Sequence, residues 1–82
     1  MVKAIFHPSF EKSFYKIKDN KLRERIFKQF IKIGENPEVG KPMRYFCHGT
    51  REVYVPPFRL SYIYLREENK IIFLDLYHKD KQ

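Results

Sequence analysis

Apolar and polar residues first alternate along this chain, then recur with a helical period, then alternate again. Val2, Ala4 and Phe6 share one face of a short strand that runs to His7 and ends at Pro8. Ser9 offers an N-cap for a first helix to about Lys18, in which Phe10, Phe14 and Ile17 recur at i, i+4 and i+7. Asp19-Asn20 breaks that helix and caps the next, expected from about Lys21 to Ile33. There Leu22, Ile26, Phe30 and Ile33 form a stripe that Phe27 widens. Gly34 stands where a C-terminal cap is expected. So short a link predicts an antiparallel helix hairpin. Asn36-Pro37 and Gly40 mark the stretch from Glu35 to Lys41 as a loop.

From Met43 the period becomes 2. Val53 and Val55 alternate with Glu52 and Tyr54, and Pro56-Pro57 makes a tight connection. Leu60, Tyr62 and Tyr64 then alternate with Arg59, Ser61 and Ile63. Arg66 to Lys70 reads as a hairpin turn. The last strand, Ile71 to Tyr77, is the most apolar and therefore belongs inside the sheet. The order is β-α-α-β-β-β. It predicts an α+β fold: a two-helix hairpin packed on one face of a mainly antiparallel, twisted four-stranded sheet, in one domain spanning residues 1–82.

Composition narrows the setting. A chain of 82 residues buries only roughly 60–65% of its unfolded surface, and 6 Tyr and 8 Phe let few residues fill that small core. Cys47 is the only cysteine, so no intrachain disulfide forms, and a reducing, cytoplasmic setting is expected. The longest apolar run, Ile71 to Leu74, is far short of the ~20 residues of a membrane span, and the N-terminus does not read as a signal peptide. No membrane partner is expected.

Charge points to polyanions. The formal charge is +7, a field that favours nucleic acid. Between Val39 and Arg66 the basic residues Lys41, Arg44, Arg51, Arg59 and Arg66 face a single acid, Glu52. Strand alternation puts Arg59 opposite the core-facing Leu60 and Tyr62, and Glu52 on the same face as Tyr54. A guanidinium on an open strand face binds phosphate through two donors. Glu52 suits either a general base or an ion-pair partner of Arg59 or Arg51. His78 ends the last strand, where an imidazole is able to exchange protons near neutrality. His7 reads as structural, and His48 falls in the turn expected at Gly49. The histidines and Cys47 have no metal-ligand spacing, and the three glycines form no phosphate loop; no cofactor is expected.

The element order, the Gly40-Lys41-Pro42 loop, the strand Phe58-Arg59-Leu60-Ser61-Tyr62 and the basic ending Tyr77-His78-Lys79 together resemble the RelE/ParE superfamily of toxins. That resemblance implies a toxin silenced by a cognate antitoxin. RelE-like members cleave mRNA in the ribosomal A site; ParE-like members poison DNA gyrase. On the RelE-like reading the chain is a ribosome-dependent mRNA endoribonuclease whose 2′-hydroxyl attack needs no metal. Arg59, His78 and Glu52 would be catalytic, and Arg44, Arg51, Lys79, Lys81 and Tyr54 would hold RNA. Two alternatives are a gyrase inhibitor and a non-catalytic RNA-binding module. The chain departs from RelE-like RNases, which often carry paired lysines where Glu52 and Tyr54 stand, and from the YoeB branch, which has a Glu where Lys41 stands. The terminal Tyr of several members is missing, leaving Tyr54 or Tyr77 to stack on a base.

Overall fold

The computed structural model describes residues 2–42 and 49–78. Arg44, Cys47, His48, Lys79 and Lys81 lie outside the described residues, as does the point near Met43 where the period changes. Strand β1 (Lys3–Phe6) leads into helix α1 (Pro8–Tyr15) and helix α2 (Asn20–Glu35). Strands β2 (Lys41–Pro42), β3 (Thr50–Val55), β4 (Phe58–Leu65) and β5 (Lys70–His78) follow. The sheet order is β1-β5-β4-β3-β2. β1 runs parallel to β5, and every other pairing is antiparallel.

The expected β-α-α-β-β-β architecture is present, with a fifth strand in addition. The extra strand is the two-residue β2, drawn from the loop by pairing Lys41 with Glu52 and Pro42 with Arg51. Helix boundaries also move. His7, not Ser9, caps α1: its Nδ1 accepts from the Ser9 amide at 3.1 Å, with Pro8 in the first turn. α1 closes at Tyr15 because Ile17 turns back into the core, its amide bonding the Phe14 carbonyl. Asp19 caps α2 through Oδ1, which accepts from Lys21 and Leu22. α2 runs through Gly34 and stops at Asn36, the residue before Pro37, where helical backbone is disfavoured by the proline ring.

Both helices lie on one face of the sheet. Phe73 of β5 sits at the middle of an aromatic cluster, its ring centroid 4.8 Å from Phe30, 5.1 Å from Phe6 and 5.9 Å from Phe10. Ile26, Ile33, Leu60, Tyr62, Ile71 and Leu76 complete the buried interior. Among the described residues, no helix is long and apolar enough to cross a membrane.

One irregularity in β5 decides what the opposite face displays. Tyr62 pairs with Phe73, but the preceding Ser61 pairs with Asp75, so Leu74 is an extra residue in the ladder. Such a bulge reverses the alternation downstream. The core face therefore reads Ile71, Phe73, Leu76, and Leu76 and His78 stand opposite Leu60 and Phe58. Tyr77 is turned to the open face, opposite Arg59.

Candidate active site on the open face of the sheet

Directly opposed residues in an antiparallel ladder share a face and nearly touch. The registers therefore assemble Tyr54, Arg59 and Tyr77 in one row across β3, β4 and β5, beside a second row of Lys41, Glu52, Ser61 and Asp75. Glu52 is the centre of the group. Its Oε1 binds Nη1 of Arg59 at 2.5 Å, and its Oε2 accepts from the Tyr77 hydroxyl at 2.9 Å. The Glu52 side chain is only 17% exposed and the Arg59 side chain 28%, so this pair is shielded well beyond an ordinary surface ion pair.

Arg59 engages the carboxylate through Nη1 alone; its Nε is buried without a hydrogen-bond partner. The contact thus falls short of the two-donor fork that makes Arg–carboxylate pairs strongest. The guanidinium carbon lies 5.9 Å from the centroid of the half-exposed Tyr54 ring, within cation–π range. Tyr77 is pushed up to about 12, first by burial and then by the hydrogen bond and charge of Glu52, with Arg59 opposing. Lys41, Glu52, Tyr54 and Arg59 line an open depression of about 260 Å³.

A clamp on the other face sets the position of Lys41. Nη1 of Arg51 donates to the carbonyls of Glu38 (3.0 Å) and Gly40 (2.8 Å), and its Nη2 lies 3.9 Å from the Glu38 carboxylate. The buried Tyr62 hydroxyl accepts from the Gly40 amide at 2.9 Å and donates to the Pro37 carbonyl at 2.8 Å. These five contacts fix the loop just before Lys41, which then sits across the ladder from Glu52.

Of the residues singled out by sequence, Arg59, Glu52 and Tyr54 come together. Arg51 does not join them; it braces the loop from the helix-packed side. His78 is also on that side, its ring 5.6 Å from Phe58 in an edge contact. His7 caps α1. The placements of Arg44, Lys79 and Lys81 lie outside the described residues. Lys41 and Tyr77 are the additions. Tyr77 was visible in the sequence only as a stacking residue, since nothing in the residue pattern announces the bulge. Lys41 was visible as a loop residue, and its pairing with Glu52 needs the two-residue β2.

Chemically, the site combines a carboxylate able to accept a proton, two cations able to meet an anion, and a half-exposed ring able to stack on a base. Among the described residues no three His, Cys, Asp or Glu side chains gather as metal ligands.

Comparison with known proteins bears on the family and the fold. The family model described as ParE toxin of type II toxin–antitoxin system, parDE, matches residues 4–82. No curated protein matches the sequence. Solved structures share the fold at low identity. The toxin–antitoxin complex RelBE from E. coli matches with a TM-score of 0.82 at 15% identity, over 95% of this chain and 96% of that one. RelBE2 from Mycobacterium tuberculosis gives 0.80 at 21%, over 95% and 98%. A YoeB/ParE toxin from Agrobacterium tumefaciens gives 0.82 at 13%, over 94% and 98%.

Proposed function

We propose that this chain, which belongs to the ParE toxin family of type II toxin–antitoxin systems, is an endoribonuclease that cuts mRNA on the ribosome. The observation that carries the reading is the meeting of Glu52, Arg59 and Lys41 at one depression beside the Tyr54 ring. Cleavage of RNA by its own 2′-hydroxyl needs a base for that hydroxyl and cations for the charge that builds on the phosphoryl oxygens. Glu52 takes the 2′-hydroxyl proton as the 2′-oxygen bonds to phosphorus. Arg59 and Lys41 face the phosphoryl oxygens. The bond to the 5′-oxygen breaks, and that oxygen takes a proton from the Lys41 ammonium, leaving a 2′,3′-cyclic phosphate. A depression this small is below the roughly 300–1,000 Å³ of pockets that enclose whole ligands. It suits one nucleotide of a strand held elsewhere, and the ribosome supplies that hold.

A cognate antitoxin follows from the family. Its charge complement is the +7 of this chain, and Phe27 and Ile31, 58% and 54% exposed on successive turns of α2, offer it an apolar seat.

A second reading, inhibition of DNA gyrase, draws on the description of the matched family and on the neutralisation of Arg59 by Glu52. One experiment separates them: expression without antitoxin, followed by mapping of mRNA ends. New 5′ ends inside translated codons support the nuclease. Intact mRNA with arrested DNA replication overturns it in favour of gyrase.

A further inference from the structure

We infer that the Glu52–Arg59 ion pair is a latch over a binding site for one phosphodiester of single-stranded RNA, and that the incoming phosphate frees the base by taking Arg59 from it. This deepens the nuclease reading and rests on it for the identity of the strand. The geometry supplies each part. Arg59 binds Glu52 through one donor only, so a phosphate offering two oxygens makes the better partner. Lys41 stands across the ladder from Glu52 yet makes no ion pair within 4 Å among the described residues. Its ammonium remains available on the rim of the depression. Tyr54 presents a half-exposed ring beside these cations, which suits an unstacked base.

Tyr77 makes the exchange productive. It holds Oε2 of Glu52, the oxygen that Arg59 does not use. When Arg59 turns to phosphate, the carboxylate is still anchored by Tyr77, and Oε1 is released toward the strand. That oxygen takes the 2′-hydroxyl proton in the step described above. Without substrate, Oε1 is occupied and the base is masked. Glu52 therefore opposes binding, because its negative charge competes with phosphate for Arg59, yet it is required for turnover. A residue that serves only as a structural ion-pair partner has no reason to show these opposite signs.

The test is binding of a single-stranded oligonucleotide, 2′-O-methylated at every sugar so that it cannot be cut, measured by fluorescence anisotropy with the purified toxin. Glu52→Gln keeps the shape and the Tyr77 contact but removes the charge. It is expected to tighten binding roughly tenfold and to abolish cleavage of ribosome-bound mRNA. Arg59→Ala is expected to weaken binding by a similar factor. Unchanged or weaker binding by a folded E52Q overturns the latch. Should E52Q fail to fold, the wild type decides: its Arg59 guanidinium NMR signals are expected to move on oligonucleotide addition, and unmoved signals at saturation overturn the proposal. Tightening by E52Q without any cleavage by wild type keeps the phosphate site and retires the nuclease. Cleavage by wild type without tightening retires the latch alone.

Discussion

Arg59 and Tyr77 stand directly opposite one another in the β4–β5 ladder and take the two oxygens of a single carboxylate, Arg59 binding Oε1 of Glu52 and Tyr77 donating to Oε2. The three residues come from three adjacent strands, so the arrangement depends on register rather than on any loop. Strand-borne sites are held more tightly than loop-borne ones. Moving β5 by one residue would put Tyr77 on the core face and dissolve the group.

The hydroxyl of Tyr77 gives this arrangement a pH signature. Its folded value is about 12 against an ordinary value near 10, so the neutral form is the one the fold favours. A raised folded value means that the stabilisation is complete below pH ~10 and is lost as pH rises from about 10 through about 12. Tyrosinate absorbance titrated against pH is expected to show this late-ionising group in wild type. In Glu52→Gln the group is expected to titrate earlier, since the negative charge that opposes its ionisation is gone while the hydrogen bond is kept. Tyr62 is raised as well, by burial, and is expected to stay put in that variant. A Tyr77 titration unchanged by E52Q would contradict the contact.

Gly40 has its own constraint. A Cβ there would lie 2.5 Å from the Tyr62 hydroxyl oxygen and 2.8 Å from its ring, and that ring is fully buried. Gly40→Ala is expected to cost about 1–3 kcal/mol by overpacking. Tyr62→Phe is expected to cost about 1–3 kcal/mol by leaving the Gly40 amide and the Pro37 carbonyl without their partner. Because the first change already breaks what the second removes, the double variant is expected to cost less than the sum. Urea unfolding of the four proteins measures this, and simple additivity would refute the shared mechanism.

Phe73 tests the core. It touches Phe6, Phe10, Phe30 and Tyr62, so little nearby is free to collapse into its place. Phe73→Ala is expected to lose about 3–5 kcal/mol, most of the stability of a domain this small. The variant is expected to be toxin-dead through unfolding, seen as lost cooperativity in urea, and it serves as the control against which site variants are judged.

The elements were legible because each obeys a local rule. Phe10 and Phe14 or Leu22, Ile26 and Ile33 announce helices by spacing, though Ile17 continues the first stripe beyond the end of α1, and Leu60 and Tyr62 announce a strand that turns Arg59 outward. The joining of Glu52 to Arg59 was also foreseeable, since one acid among cations on a shared face has few other partners. Three features were not. A two-residue strand such as β2 carries no period of its own. The stop of α2 at Asn36 rather than Gly34 reflects the buried Ile33 and the restriction before Pro37, against the usual preference for glycine at helix ends. The bulge at Leu74 leaves no mark in so uniformly apolar a run as Ile71 to Leu74.

That bulge makes the last prediction the most discriminating. Plain alternation from Ile71 and Phe73 would place His78 on the open face with Arg59 and would bury Tyr77. With Leu74 as the extra residue the assignments exchange: Tyr77 meets Glu52, and His78 packs by its edge against Phe58 among the core-side residues. The two residues are neighbours in sequence, so a variant pair reports directly on the register. His78→Ala is expected to leave binding of the 2′-O-methylated oligonucleotide within about twofold of wild type, because it removes no group from the Lys41–Arg59 depression. Any loss of function in that variant is expected to follow a loss of stability, through the contact with Phe58. Tyr77→Phe is expected to do the reverse: stability nearly kept, oligonucleotide still bound, and cleavage reduced roughly 10²-fold because the freed carboxylate is no longer oriented. A His78→Ala protein as stable as wild type but unable to bind the oligonucleotide would show that the face assignments are exchanged back, and the site would have to be rebuilt around the imidazole.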